Sequence, residues 1–332
     1  MKSTRIVVIV NPRAAGGRAG RRWPALRAQV AERLGVAAAD LEEKLTDAPG
    51  AATHLTRQAL RDGADVVVAL GGDGSVNEVL NGFFAAPGDD PAAPPLPLRE
   101  GAIFAQLPFG TGGDFRKTLR LPADTLAAAE ELGRLLGRAE PAPRLDVGRV
   151  WPAGGAPRLF VNIASCGQSG VVVEHTHHMP KALGGRLTFT IATLRAFFGW
   201  RNRPVRLRVD GGEPEEVVVN TLAVGNGRYF GAGMQVCPGA DPLDGVFDVT
   251  VLGDIRLWGF ITQSKRLYDG TVAQVPGVTL RRGRRIEAAP AGDDPTPVLI
   301  EVEGESAGRL PATFELFPAA LPVLTSLTRP PR

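Results

Sequence analysis

The residues best suited to chemistry form the segment 71–75 (GGDGS), which follows an apolar run and precedes a helical pattern. Glycines let a backbone turn sharply and approach a ligand closely, and the N-terminus of the following helix offers unpaired N–H groups to an anion. An acid such as Asp73 within that loop repels phosphate unless it holds a cation or steers a metal-bound water. Ser75 is a candidate N-cap, with Glu78 three residues later as in a capping box. The segment predicts a phosphate-binding loop, and the alternative is an ordinary, well-capped strand-to-helix turn.

A second loop of the same design spans 107–115 (LPFGTGGDF) and also follows an apolar run. Loops that follow two parallel strands face one crevice, where open α/β sheets bind ligands. Asp73 and Asp114, with the hydroxyls of Ser75 and Thr111, would then stand beside the glycines. Such a set of oxygens predicts a nucleotide with Mg²⁺. The first loop is neither a GxxxxGK[ST] loop nor a GxGxxG dinucleotide fingerprint.

The elements that must position these loops alternate between strand and helix up to Asp146. Apolar runs that predict buried strands occur at 5–10, 65–70 and 102–107. Helical patterns occur at 23–34, 76–84 and 123–138. Short apolar strands separated by helices predict a parallel sheet that is covered on both faces.

After Asp146 the pattern changes to strands punctuated by turn residues. The strand patterns lie at 158–164, 205–209, 216–224, 246–252, 278–280, 297–302 and 313–317. Two helical insertions, near 181–200 and 255–268, interrupt them. The predicted fold class is an α/β N-terminal domain with a Rossmann-like parallel sheet, followed by an all-β sandwich with helical insertions. We expect domains at 1–146 and 147–332, with 313–325 as a segment that could return to the first domain.

Composition excludes several classes of protein. The chain has 332 residues, and its 38 Lys and Arg against 35 Asp and Glu give a net charge of +3, which argues against a dedicated nucleic-acid binder. Its two cysteines, Cys166 and Cys237, are too few for a disulfide framework or a zinc ribbon, so we expect a reducing compartment. No run reaches the roughly 18–20 apolar residues of a membrane span. We therefore expect a cytoplasmic protein, with peripheral contact at the inner membrane face left open.

Five ordered blocks resemble the diacylglycerol kinase catalytic-domain family. These blocks are NP at 11–12, GGDGS, then GTGGDF with RLDVG at 144–148, 226–252 (NGRYFGAGMQVCPGADPLDGVFDVTVL), and 301–324 (EVEGESAGRLPATFELFPAALPVL). The likeness is strongest to bacterial soluble lipid kinases of the YegS and diacylglycerol kinase type. It implies an NAD-kinase-like nucleotide domain, a lipid-substrate β-sandwich domain, and transfer of the γ-phosphate of ATP to a lipid hydroxyl. The lipid would be diacylglycerol-like, phosphatidylglycerol-like or sphingoid, and the protein a monomer or homodimer.

The resemblance also implies roles for individual residues. Glu305 corresponds to the general base of the family's DGE block. Asp244 corresponds to the ligand of a structural Mg²⁺, with the carbonyl groups of Asp241 and Val246. The acids matching those that organise metal and water are Asp73, Asp114 and Asp146. The implied ATP-binding residues are Asn11, Thr46, Gly72, Asp73, Gly74, Ser75, Val76, Asn77, Glu78 and Thr111.

The sequence departs from the family pattern at a few positions. Ser75 replaces Thr and keeps its hydroxyl, Glu303 replaces the Asp of DGE, and Gly113 replaces the Asn of GTGND. Ala14 stands where the family often has Ser. The last two departures support one alternative, a non-catalytic lipid- or nucleotide-binding relative. A second alternative is an NAD-kinase-like small-molecule kinase, although such enzymes lack the 226–252 and 301–324 blocks.

Other clusters predict weaker functions. Residues 174–178 (EHTHH) carry three histidines that cannot all face one metal ion, so we predict a polar loop or helix start there. Residues 181–203 mix aromatic and basic side chains, which fits either a membrane-interface helix or a helix packed on the sandwich. Residues 281–285 (RRGRR) predict a basic turn, solvated or close to anionic lipid.

Overall fold

The computed structural model describes residues 4–86, 93–110, 113–177, 185–292 and 294–328, without the side chains of 177, 185–190 and 197. The chain forms two compact units. Unit 1 comprises the residues up to Leu145 together with those from Ala319 onward, and unit 2 comprises Asp146–Pro318.

Unit 1 contains a parallel sheet with the strand order β2-β1-β3-β4. These strands are β1 (Ile6–Val10), β2 (Glu42–Leu45), β3 (Val66–Gly71) and β4 (Ile103–Pro108). Its helices are α1 (Ala14–Arg33), α2 (Ala51–Arg61), α3 (Asp73–Phe83), α4 (Asp114–Thr118) and α5 (Thr125–Leu136). Every residue of β1 and β3 is buried, which is why both strands read as continuous apolar runs. The predicted parallel α/β sheet is therefore confirmed.

Two elements of unit 1 escaped the sequence analysis. β2 has the sequence EEKL and alternates between half-buried and exposed positions, because it forms an edge of the sheet. α2 follows it and packs on the same sheet and on α3. Near the end of the chain, Val323 forms a parallel bridge with Phe104, and the Leu324 N–H donates to the Phe104 carbonyl at 2.9 Å. The last described residues thus extend the sheet of unit 1 beside β4.

Unit 2 is a sandwich of two six-stranded sheets, and the predicted all-β second half is confirmed. One sheet has the order β12-β11-β10-β7-β14-β15 and the other β6-β5-β16-β13-β8-β9. The strands are β5 (Arg144–Pro152), β6 (Arg158–Phe160), β7 (Ile163–Gly167), β8 (Arg203–Val209), β9 (Glu215–Val219), β10 (Thr221–Gly225), β11 (Phe247–Leu252), β12 (Val278–Gly283), β13 (Arg285–Pro290), β14 (Leu299–Val302), β15 (Glu305–Arg309) and β16 (Ala312–Pro322). Phe160 and Phe247 stack at 5.5 Å between ring centroids within the core, which draws side chains from both sheets.

Three helices accompany the sandwich: α6 (Gln168–His177), α7 (Gly185–Gly199) and α8 (Leu257–Tyr268), with a 3₁₀ turn at Val272–Gln274. α7 packs on α6 through Ala192 and Ala196. Among the described residues, no helix is both long enough and apolar enough to cross a bilayer.

Two of the smaller predictions were wrong. Residues 174–177 lie in the last turns of α6 rather than in a loop or at a helix start, and His178 lies outside the described residues. The basic turn predicted at 281–285 is mostly strand, since β12 ends at Gly283 and β13 begins at Arg285. The sequence pattern predicts the first half of β12, at 278–280, but not its end or β13, because the arginines there are exposed or half-buried and leave no apolar run.

Candidate functional site

The loops of unit 1 meet where the strand order of the sheet reverses. β1 lies between β2 and β3, so the connections that leave β1 and β3 open on opposite sides of the sheet. Ligands of open α/β sheets bind at this kind of switch point, at the carboxyl ends of the strands. The Asn11 side chain follows β1 and donates from Nδ2 to Ser75 Oγ in α3 at 2.9 Å. The structure therefore joins the NP block at 11–12 directly to the GGDGS loop at 71–75.

Asp73 ties the two glycine-rich loops together. Its Oδ2 accepts the N–H groups of Gly113 and Asp114 at 3.1 Å each, and its Oδ1 accepts that of Phe115 at 3.2 Å. Burial raises the pKa of Asp73, and the nearby Asp114 carboxylate adds to the rise, while the three backbone bonds oppose it. The charge that would repel phosphate is thus compensated by the amides of the second loop.

The capping box predicted for α3 was wrong. The N-cap of α3 is Gly72, and Ser75 lies inside the first turn. Glu78 instead reaches α2, where its Oε2 accepts the Ala52 N–H at 3.1 Å at the start of that helix. A carboxylate at a helix N-terminus is stabilised by the helix dipole, which explains why Glu78 turns away from its own helix.

The other residues predicted to bind ATP fall into three groups. Gly72 and Gly74 are half-buried at the start of α3, and Gly72 has no atom within 4 Å of where a Cβ would stand. Val76 and Asn77 are buried, so their side chains belong to the core of unit 1. Thr46 follows β2 at the same edge of the sheet, and its N–H donates to the Val10 carbonyl at 2.9 Å. Thr111 lies outside the described residues.

Gly113 departs from the family pattern without losing its backbone contact. Its φ is +75°, in the left-handed region that glycine adopts freely and that Asn tolerates better than most residues. Its N–H is one of the three that bind Asp73. The backbone conformation therefore accounts for both the family's Asn and the Gly found here.

The remaining predicted acids lie in different settings. Asp114 is nearly buried and forms an ion pair with Lys117 at 2.9 Å. Asp146 is fully buried in unit 2, where its Oδ2 accepts the Gly245 N–H at 2.6 Å. The Asp146 carbonyl accepts from the Asn226 side chain at 2.9 Å. Asp146 thus links the RLDVG segment to the 226–252 block at two points inside unit 2.

Glu303 and Gly304 form the turn between β14 and β15. Their φ values of +55° and +82° match a two-residue hairpin turn with both central residues left-handed, for which Asp-Gly and Asn-Gly are the favoured pairs. Glu303 occupies the less favourable position, where its Oε1 accepts the N–H groups of Val161 and Asn162 at 2.8 Å each. These bonds explain how Glu replaces the Asp of the family block.

Glu305, the predicted general base, is exposed at the first position of β15, directly after this turn. Its strand partner is Val302. The side chain is therefore placed at a hairpin tip, where a carboxylate can meet a substrate, and the Glu303 carboxylate is held by the backbone of residues 161–162.

Sequence analysis missed Glu301, which lies fully buried under the same hairpin. Its Oε1 is hydrogen-bonded to the hydroxyl of Ser165, its cross-strand partner on β7, and its Oε2 accepts the Gly304 N–H at 2.8 Å. Burial raises the pKa of Glu301 to about 7, the nearby Glu305 adds to this, and the two hydrogen bonds oppose it. The alternation of β14 gave no signal for this burial, because an acid between two apolar residues is the ordinary pattern of an outward-facing position, and here α6 packs on β14.

Glu301 makes the stability of the protein depend on pH. Its pKa is about 7 in the folded chain against an ordinary value of 4.5, so between these values the unfolded chain releases a proton that the folded chain keeps. The contribution of Glu301 to the free energy of unfolding is therefore fully present below about pH 4.5. It is lost as the pH rises from there to about 7, by on the order of 3 kcal/mol. Glu301→Gln should abolish that slope, because the amide does not titrate and its NH₂ can donate to Ser165.

Urea unfolding at about pH 5 and about pH 8 measures this effect. The exposed Glu216→Gln variant is the matched control and should keep the wild-type slope. An unchanged slope in Glu301→Gln would show that Glu301 does not titrate in this window.

Asp244, the predicted Mg²⁺ ligand, is already paired with a cation. Its Oδ1 accepts the Val246 N–H at 3.1 Å, and its Oδ2 forms an ion pair with Arg282. Arg282 Nε also lies 3.2 Å from Asp248 Oδ2. Burial raises the pKa of both Asp244 and Asp248, and the guanidinium opposes that rise.

These residues do not fit a Mg²⁺ ion as they stand. Mg²⁺ requires near-octahedral oxygen ligands, and here a guanidinium binds the Asp244 oxygen that would face the ion. The Asp241 carbonyl, another predicted ligand, accepts the Asp244 N–H at 3.2 Å. Within the described part of the chain, no cluster of three or more His, Cys, Asp or Glu side chains could hold a metal ion.

Arg282→Met should leave Asp244 and Asp248 without their cation and lower the free energy of unfolding by about 1 kcal/mol. Added Mg²⁺ should restore part of that loss in the variant and leave the nucleotide-free wild type unchanged. Thermal unfolding with Mg²⁺ or with a chelator measures both effects. Arg281→Met is the control, because Arg281 pairs with a single carboxylate, Glu215. A wild type that loses stability on chelation would contradict this account.

Comparison with known proteins agrees with the division of the chain. Residues 5–149 match the family model described as the diacylglycerol kinase catalytic domain. Residues 162–325 match the model described as the YegS C-terminal NAD kinase beta sandwich-like domain. The two models together cover both units and all the blocks described above.

Two named relatives agree with these family matches, and a solved structure shares the fold. A protein named diacylglycerol kinase from Mycobacterium tuberculosis is 30% identical over 275 residues, which cover 82% of this chain and 81% of that protein. A Stenotrophomonas maltophilia protein named "Probable lipid kinase YegS-like" is 33% identical over 243 residues, 73% of each chain. A crystal structure of a diacylglycerol kinase from Bacillus anthracis shares the fold with a TM-score of 0.66 at 20% identity, covering 98% of each chain. The chain therefore belongs to the diacylglycerol kinase family, in the group that carries a YegS-type C-terminal domain, and it is a kinase.

Proposed function

We propose that this protein transfers the γ-phosphate of ATP to a hydroxyl group of a lipid. The observation that carries the proposal is the joining of the two glycine-rich loops at the carboxyl ends of β3 and β4, through Asp73 and the N–H groups of Gly113, Asp114 and Phe115. A phosphoryl-transfer enzyme works chiefly by positioning and by charge stabilisation, so it needs loops fixed in this way. Names of the relatives support the lipid as acceptor.

Unit 1 would hold the nucleotide. Gly72 leaves its outer side open to an approaching phosphate, and α3 begins at Asp73 with the N–H groups of its first turn. Asn11 Nδ2 fixes the Ser75 hydroxyl, which keeps the start of that helix in register with the loop after β1. ATP, when bound, supplies the phosphoryl group that is transferred.

Glu305 of unit 2 would take the proton from the lipid hydroxyl. Glu305 is exposed and directly follows the two-residue turn at Glu303 and Gly304. The buried Glu301 side chain holds that turn by accepting the Gly304 N–H. A base held on an ordered hairpin is better positioned than one on a mobile loop. Asp146 would serve here as a positioning residue, since it is buried and its carboxylate holds the turn at Gly245.

Mg²⁺ neutralises phosphate charge in reactions of this kind. We propose Asp73 and Asp114 as the acids that would hold it with the phosphates, because the joined loops bring them together: Asp73 Oδ2 accepts the Asp114 N–H at 3.1 Å. Two adjacent carboxylates favour a bound divalent cation. The Mg²⁺ site predicted at Asp241, Asp244 and Val246 stays a prediction, and the ion pair between Arg282 and Asp244 argues against it.

The test is transfer of radiolabel from γ-labelled ATP to a panel of diacylglycerol, phosphatidylglycerol, a sphingoid base and NAD. Label extracted into the organic phase with any of the lipids supports the proposal and identifies the acceptor. Label on NAD alone would instead favour the small-molecule kinase. No transfer by a protein that binds ATP would favour a non-catalytic relative.

A further inference from the structure

Helix α8 presents an exposed stripe of large side chains. Trp258, Ile261 and Tyr268 are 75%, 47% and 50% exposed, and Lys265 lies exposed between the last two. Their spacing of three, four and three residues puts all four on one face of the helix. Exposed apolar side chains that are contiguous on one helix face mark an interaction surface more often than scattered ones do.

The exposed stripe is not the face through which α8 packs on the protein core. α8 already packs on unit 2 through its other side, where Leu267 is buried and Phe260 contacts the cluster that includes Met234 and Val272. The helix is therefore held in place independently, and its outer face is free of any role in folding.

The end of α7 lies beside the start of α8. Phe198 is 83% exposed, and it lines one cavity together with Arg201, Arg256 and Leu257. We define the α8 surface as Phe198, Arg201, Arg256, Trp258, Ile261, Lys265 and Tyr268.

The charge of the α8 surface is positive. α8 itself, residues 257–268, contains Lys265 and Arg266 and no acid. Two acids flank it: Asp254 accepts from the Asn202 side chain and lies 4.0 Å from the Arg256 guanidinium, and Asp269 accepts from the backbone and hydroxyl of Thr271. Basic side chains beside Trp and Tyr fit the headgroup region of an anionic bilayer. Aromatic residues and Arg are also enriched in protein–protein interfaces, so the experiment below includes a dimer as the contrary outcome.

We propose that the α8 surface docks this protein on a bilayer that contains anionic phospholipid. The inference deepens the proposed function, because a lipid acceptor resides in such a bilayer. Trp258, Ile261 and Phe198 would enter the interface, while Arg201, Arg256 and Lys265 contact the headgroup phosphates.

Cosedimentation of the full chain with vesicles tests the proposal. Vesicles of equal parts phosphatidylglycerol and phosphatidylcholine are compared with vesicles of phosphatidylcholine alone. Trp258→Ala/Ile261→Ala should weaken binding to the mixed vesicles by about tenfold or more, because two large apolar side chains are lost. Arg256→Gln/Lys265→Gln should weaken it by roughly thirtyfold, since each of the two basic residues near such a surface contributes about 1 kcal/mol. Leu96→Ala removes a side chain that is 66% exposed outside the α8 surface, and it should bind as wild type does.

Several outcomes would overturn the inference. These are a wild type that does not bind the mixed vesicles, variants that bind them as Leu96→Ala does, or a wild-type dimer in lipid-free buffer that Trp258→Ala/Ile261→Ala dissociates. Turnover of detergent-solubilised lipid should be the same in wild type and both double variants. If no lipid is phosphorylated while the binding differences persist, the proposed function fails and the docking surface stands.

Discussion

Glu305→Gln is expected to lower lipid-dependent ATP turnover by about 10²- to 10⁴-fold while leaving ATP affinity unchanged, the loss typical of a positioned general base. Glutamine has the same shape but cannot take a proton at neutral pH. Glu305 is exposed on a hairpin, so the substitution removes no core contact and the fold should be intact. Steady-state turnover with the lipid found in the acceptor panel, and ATP binding measured separately by calorimetry, check both halves of the expectation.

Glu303→Gln is the matched control, because it makes the same chemical change two residues earlier in the same hairpin. The Glu303 carboxylate accepts the N–H groups of Val161 and Asn162, and a glutamine oxygen can still accept them. This variant should therefore keep most of its activity. An inactive Glu303→Gln beside an active Glu305→Gln would move the base by two residues, and normal turnover in both would remove the base from this segment.

Asp73→Ala is expected to abolish detectable phosphoryl transfer in a protein that still folds. The substitution leaves the N–H groups of Gly113, Asp114 and Phe115 without their acceptor. Each unsatisfied buried donor costs about 1–3 kcal/mol, so the second loop should leave its position while the sheet remains. Turnover, ATP binding and thermal unfolding should show a loss of activity far larger than the loss of stability.

Asp124→Ala separates that effect from the loss of any helix cap. Asp124 caps α5 and accepts the N–H groups of Leu126 and Ala127 at 3.0 Å each, and it plays no part in the candidate site. It should lose about 1 kcal/mol of stability and keep its turnover. Full activity in a folded Asp73→Ala protein would show that phosphoryl transfer needs neither the Asp73 charge nor its bonds to the second loop.

Much of the fold could be predicted from local pattern. The runs at 5–10, 65–70 and 102–107 are strands because they are buried on both faces, which leaves a continuous apolar signature. The insertions near 181–200 and 255–268 are helices, α7 and α8. The elements that escaped were β2, α2, β5, α6, β13 and β15. β2 and β15 show why, since both lie at sheet edges with polar or small residues whose pairing depends on a distant strand.

The sequence by itself determined which loops form the candidate site and in what order, because glycines and acids follow the strands that end at one edge of the sheet. Only the tertiary structure decided what those acids touch. It gave Asp73 the amides of the second loop, turned Glu78 to the start of α2, and paired Asp244 with Arg282. It also buried Glu301 against Ser165 and so raised its pKa. The physical reason is common to all four: hydrogen bonds, ion pairs and desolvation arise between segments that are far apart along the chain, and no local pattern of residues specifies them.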